Sequence, residues 1–355
     1  MFKKTSFILT ILLVIQYSII QMLGNFPEII ETYYSQGIYP IISKTSRYLF
    51  GWVPFSVGDV FYTLVTIYAL RWLYKNIARL FKEPLSFILD ITASVSIVYF
   101  LFHMLWGLNY YRIPLHETLN IENQYTTDEL VSMTERFVKK ANEMHLQLGN
   151  QDTLKIEPPY TQKEIFNKTK NGYDNIEAAI PMLNYSPVSI KKSIWSLGLT
   201  IMGYSGYLNP FSNEAQVNSL IKTYKFPVVS AHETAHQIGY AAENEANFIA
   251  TLVTVNNDDT YIQYSGYIFA LRYLVNEVAR RDINKYRELI CTINPGILAS
   301  YKDMRDFWES YENPIEDISK YFYDGYLHAN NVSGGIKSYS YMVALVINYY
   351  ENKKI

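Results

Sequence analysis

The sequence predicts a mainly α chain: three N-terminal transmembrane helices followed by a mostly helical (α+β) extracytoplasmic domain. Three observations predict it. Apolar stretches long enough to cross about 30 Å of hydrocarbon recur three times before residue 112. Basic residues are unevenly shared between the loops that join them. From Arg112 onward the composition is that of a water-exposed domain with helical periodicity. The expected division is a membrane unit over 1–111 and a folded domain over 112–355.

The first span covers about 6–27 and carries no charge. Lys3 and Lys4 before it also suit a signal peptide, but no small-x-small cleavage pattern follows and further spans come later, so an uncleaved span is expected. The second runs over about 57–73, with Asp59 near its start and Arg71 able to snorkel at its end. The third runs over about 91–111. It holds His103, read as packing neutral between helices, and ends in Trp106, Tyr110 and Tyr111, which suit an aromatic belt. Lys3 and Lys4, then Arg71, Lys75, Arg79 and Lys82, mark the N-terminus and the second loop as cytoplasmic. The first loop offers Lys44 and Arg47 against Glu28 and Glu31. Three crossings then put the rest of the chain outside.

In the domain, Thr126-Thr-Asp-Glu129 reads as a capping box. Leu130, Val131, Phe137, Val138, Ala141 and Met144 continue it as an amphipathic helix. Residues 151–185 are polar and rich in proline, and are expected to be loop. Helices are expected over 189–202, 268–283, 314–323 and 336–350, and a short strand over 214–220. The formal net charge of −2 and the absence of any basic run give no support for a nucleic-acid partner. The single cysteine, Cys291, excludes a disulfide within the chain and a cysteine-based zinc site, and is read as a small buried apolar residue.

The chemistry lies in Phe226-Pro-Val-Val-Ser-Ala-His232-Glu233-Thr-Ala-His236-Gln237. Helical residues four apart share a face, so His232 and His236 can bind one Zn²⁺. Glu233, beside them, can take a proton from a water that the metal polarises. Two histidines and a glutamate on a surface helix would give the same pattern, but Val228, Val229, Ala231, Ala235 and Ile238 make the segment apolar enough to be buried. A catalytic zinc takes a third protein ligand and keeps one open position. The position six past the second histidine, where metzincins carry their third, is Ala242. Glu243 and Glu245 are the substitutes, with Glu243 preferred. On a straight helix Glu243 would stand about 10 Å along the axis from His236. The chain must therefore turn near Gly239 and restart as a second helix, with Asn247 on the Glu243 face.

On these residues the chain resembles the gluzincin metallopeptidases, whose third-ligand helix reads Glu-x-x-Ala-Asp/Asn. The resemblance implies a zincin-like domain with Glu243 as metal ligand and Asn247 supporting it. The whole chain is similar to a bacterial membrane-protein family catalogued as domain of unknown function 3810. Its matching pieces are the three spans, Trp106-Gly-Leu-Asn-Tyr-Tyr-Arg112, Asn209-Pro-Phe-Ser-Asn-Glu-Ala-Gln-Val-Asn218, Ala231-His-Glu-Thr-Ala-His-Gln-Ile-Gly239 and Glu243-Asn-Glu-Ala-Asn-Phe248. That similarity implies a bacterial cell envelope and leaves the substrate open; with the three spans, the expected location is the inner membrane.

The reading is thus a membrane-anchored zinc metallopeptidase with metal ligands His232, His236 and Glu243 and catalytic Glu233. Its partners would be the bilayer and a peptide or envelope-protein substrate. Residues 214–220 are a candidate edge strand for substrate, and Tyr326, His328, Tyr339 and Tyr341 are candidate oxyanion stabilisers. The rivals are a non-catalytic protein with a structural or sensory metal site in an envelope assembly, and an amidase acting on cell-wall cross-links.

Overall fold

Three long helices near the N-terminus expose apolar side chains along most of their length in a computed structural model of the chain, which describes residues 4–221, 223–330, 339–353 and 355. They are α1 (Lys4–Leu23), α2 (Val57–Asn76) and α3 (Pro84–Leu105). Two of them, α1 and α3, are long and apolar enough to cross a membrane. Helix α2 is as long as α1 but carries Asp59, Arg71 and Lys75. The bare surface is large: Ile8, Val14, Leu64, Leu70 and Val98 are each more than half exposed. Such a surface is unusual for a protein surrounded by water.

The third helix differs from its expected range at both ends. It starts earlier and runs through Asp90, which accepts hydrogen bonds from Ser6 Oγ at 2.8 Å and Arg79 at 2.9 Å. It stops at Leu105, because Trp106 leaves helical geometry at φ −159°. Residues Gly107–Tyr111 form a 3₁₀ turn, and Trp106 and Tyr111 are buried against the rest of the protein. They are packing groups and not an aromatic belt. His103 is buried, as expected, with its ring centroid 4.2 Å from that of Tyr99.

The capping box forms as read: Thr126 and Glu129 satisfy each other's backbone donors at the start of α4 (Thr127–Gly149). A second, Thr161 with Glu164, starts α5 (Gln162–Glu177), where loop was expected. The polar composition of that stretch hides one apolar face: Ile165, Phe166, Tyr173 and Ile176 are buried. The segment expected as helix over 189–202 divides into strand β1 (Ile190–Lys192) and a short helix, Ser196–Ile201. Strands β2 (Gly206–Asn209) and β3 (Glu214–Val217) complete a sheet of order β1-β3-β2. β1 runs parallel to β3 and β2 antiparallel to it. The candidate edge strand is therefore the central one, and β2 is an edge.

Helices α6 (Lys225–Gln237), α7 (Glu243–Val255), α8 (Thr260–Arg281), α9 (Pro314–Ala329) and α10 (Tyr339–Tyr350) follow. Residues 336–338 of the last expected helix lie outside the described residues. α7 is the centre of the core: Ala246, Phe248, Ile249, Ala250 and Leu252 have no exposed surface. Cys291 is exposed, contrary to expectation, at the end of a short helix over Ile283–Ile290.

The domain grips the long N-terminal helices by their ends. Glu214 on β3 accepts hydrogen bonds from the free N–H groups of Val57 at 3.2 Å and Gly58 at 2.6 Å, at the N-terminus of α2. Asp59, one residue on, is buried and accepts from Ser193 Oγ at 2.9 Å, Ile194 N at 2.7 Å and the Tyr207 hydroxyl. These contacts explain much of the Asn209–Asn218 segment.

Candidate metal centre

Helix α6 ends where glycine permits it. Gly239 takes φ +100°, a conformation that disfavours a side chain, and a Cβ there would lie 2.9 Å from the Tyr39 ring. The chain turns over Ile238–Ala242 and restarts at Glu243, as the ligand argument required. The turn is held by residues from the N-terminal part of the chain. Trp106 Nε1 donates to the His236 carbonyl at 2.9 Å, and Arg112 donates to the Gly239 carbonyl at 2.9 Å. The Tyr39 hydroxyl and Ser43 Oγ donate to the Gln237 carbonyl at 2.7 and 2.9 Å. These groups satisfy carbonyls that a helix C-terminus leaves without partners.

His232, His236 and Glu243 converge. The two histidine Nε2 atoms are 3.1 Å apart. Glu243 places one oxygen 3.2 Å from His232 Nε2 and the other 3.6 Å from His236 Nε2. Atoms bound to one tetrahedral zinc at about 2 Å stand about 3.3 Å from each other. The spacing fits one ion shared by all three residues. His236 Nδ1 lies 2.6 Å from the Tyr240 carbonyl, which can only accept. The Nδ1 proton is thus fixed, and Nε2 carries a free lone pair toward the other two ligands. Glu245 points elsewhere: it is buried and accepts from Leu115 N at 2.6 Å.

Burial pushes His236 down to about 4, which keeps it neutral and able to ligate. Burial alone would raise the Glu243 carboxyl, but His232, His236 and the Tyr323 hydroxyl outweigh it and hold the group at about 2. Glu233 is different. Burial pushes it up to about 8 despite the pull of His232, and its Oε2 has no hydrogen-bond partner among the described residues. Its other oxygen lies against Gly206 of β2, where a Cβ would come within 2.6 Å. The triad and Glu233 together line a cavity of about 850 Å³.

Several residues here were not legible in the sequence. Tyr323 of α9 donates to Glu243 Oε1. Asn247, expected in that supporting role, lines the cavity instead. Lys225, at the start of α6, also lines it; burial and the charge of Arg272 push its ammonium down to about 8. Tyr326 reaches the cavity as well. Tyr341 does not: it pairs with His116 Nδ1. The side chains of His328 and Tyr339 lie outside the described residues.

If the cluster holds zinc, replacing Tyr323 by Phe is expected to weaken the affinity about 10- to 100-fold, the usual cost of losing a hydrogen bond to a ligand. A chelator-competition titration measures it. An unchanged affinity would remove Tyr323 from the centre.

A family model described as Protein of unknown function (DUF3810) matches residues 34–347. No curated protein and no solved structure matches the chain.

Proposed function

The chain belongs to the DUF3810 family of proteins of unknown function, and from that premise we propose that it is a membrane-anchored, zinc-dependent hydrolase. It is a metallopeptidase that cuts peptide or amide bonds in the cell envelope. The observation that carries the reading is the spacing of three ligand atoms around one point, with a buried and unpaired carboxyl oxygen of Glu233 beside them. His232, His236 and Glu243 would hold the zinc, which when bound supplies a Lewis acid to polarise a carbonyl and acidify water. Glu233 accepts the proton of the attacking water and passes it to the leaving nitrogen. The carbonyl of Tyr240 and the hydroxyl of Tyr323 keep two of the ligands oriented. A structural or sensory zinc site calls for a fourth protein ligand. The cluster found among the described residues has three, and it faces an open cavity.

The deciding experiment is the metal content of the purified full chain. One zinc per wild-type protein, lost in His236→Ala, is the expected result. No zinc in either after reconstitution would end the hydrolase reading.

We also propose that α2 is a third span, with the N-terminus in the cytoplasm. The basic residues Arg71, Lys75, Arg79 and Lys82 then lie at one end of the helices, and the ends gripped by the domain lie at the other. Cys291 is the only cysteine and is exposed, so it reports on this directly. A membrane-impermeant maleimide is expected to label it in cells with a permeable outer barrier and an intact inner membrane. Labelling only after the inner membrane is lysed would reverse the orientation.

A further inference from the structure

The cavity beside the triad belongs to the membrane helices as much as to the domain. Its wall includes Tyr62 and Thr66 of α2 and Val98 and Phe102 of α3. These are positions within the proposed spans. Val98 is 53% exposed, so the cavity wall there continues onto the surface that lipid would cover. α2 and α3 stack Trp72 on Phe87 toward their cytoplasmic ends, and both line the cavity at their other ends.

The domain surface around the cavity is also apolar. Trp195 lines the cavity, donates to Thr63 of α2 at 3.2 Å, and sits between exposed Ile194 and Leu197. On α9, Ile315, Ile318 and Phe322 are more than half exposed and share one face by their spacing. Tyr323 and Tyr326 of the same helix turn toward the cavity. A helix with one exposed apolar face beside membrane spans is suited to lie in the headgroup region. With those helices in a membrane, the triad would sit at the depth of the bilayer surface, with a side opening toward hydrocarbon.

We propose that the substrate is a lipid-anchored peptide, with its acyl chain in the groove between α2 and α3 and its peptide running beside β2 to the triad. β2 is an edge strand, and Gly206, Tyr207 and Leu208 line the cavity, so its free backbone groups can pair with an extended chain. The size of the cavity favours an acyl chain over a membrane-spanning helix. An acyl chain is only a few ångströms across and can lie along the α2–α3 wall while the peptide runs past the triad, whereas a helix is about 10–12 Å across and would compete with the scissile segment for the same opening. The inference rests on the hydrolase reading for its chemistry. Water adds across the amide C–N bond, giving a carboxylate on one fragment and an amine on the other. One fragment keeps the lipid.

The test uses the full chain carrying Glu233→Gln, in lipid nanodiscs, and three peptides of one sequence. The first bears a palmitoyl group with a photoactivatable diazirine in the acyl chain. The second carries the diazirine on a single-span apolar helix. The third is acetylated and carries it on the peptide. The acyl probe is expected to crosslink to the α2 and α3 cavity wall, read by mass spectrometry. Val98→Trp should cut that labelling about tenfold, while Ile97→Trp, on another face of the same helix, should not. Labelling of the wall by the helical probe instead, or acyl labelling indifferent to Val98→Trp, would overturn the proposal. This readout is independent of turnover. Zinc content and cleavage of the acetylated peptide by wild type test the hydrolase reading separately.

Discussion

Glu233→Gln is expected to lower the hydrolysis rate about 10²- to 10⁴-fold while the protein keeps its zinc. The amide has nearly the shape of the carboxylate but cannot accept a proton from water. The proposed metal ligands do not depend on it: His236 is fixed by the Tyr240 carbonyl and Glu243 by Tyr323. The same change should leave the metal-free fold as stable as wild type or more so. Burial disfavours the Glu233 charge, and one carboxyl oxygen has no partner among the described residues. Three measurements on one sample separate the outcomes: zinc content, turnover of a peptide that wild type cleaves, and the thermal midpoint after chelation. Loss of zinc would mean that Glu233 helps to form the centre. Retained turnover would take the proton transfer away from it.

The motif helix, the turn at Gly239 and the restart at Glu243 were all legible, because they follow from helix geometry applied to a fixed spacing of ligands. Once the turn is granted, Glu243 and not Glu245 is brought to the two histidines. The residues that hold the centre were not legible. Trp106, Arg112, Tyr39 and Tyr323 each lie 80 or more residues from their partners, and no local period links them to the motif. The segment Trp106–Arg112 stood out in the sequence, yet its reading as an aromatic belt followed from neighbouring apolar residues alone. Local pattern also misjudged α5, whose polar face dominates its composition, and β3, whose pairing on both sides is a property of the assembled sheet. Cys291 was read as buried from the habit of its residue type, but its place at the end of a short surface helix leaves it exposed.

Arg112→Ala is expected to destabilise the protein by about 3–5 kcal/mol, the cost of leaving a buried charge without its partner. Arg112 and Glu31 side chains are 7% and 6% exposed and bond through two contacts, at 3.0 and 2.6 Å. The guanidinium also donates to the Gly239 carbonyl and lies 4.3 Å from the centre of the Tyr240 ring. Alanine would strand the Glu31 carboxylate, bring Glu245 no compensating charge, and loosen the turn whose next carbonyl orients His236. Zinc affinity should therefore fall together with the thermal midpoint. Lysine should rescue only part of the loss, since an ammonium cannot make the paired contact to Glu31. The double variant Arg112→Ala with Glu31→Gln should recover more stability than zinc affinity. It removes the stranded charge but leaves Gly239 unsupported. Thermal unfolding of the full chain in detergent, with and without zinc, measures both effects. If Arg112→Ala melts with wild type, the pair would be no more than a surface bridge, and the N-terminal helices would not be what holds the turn at Gly239 in place.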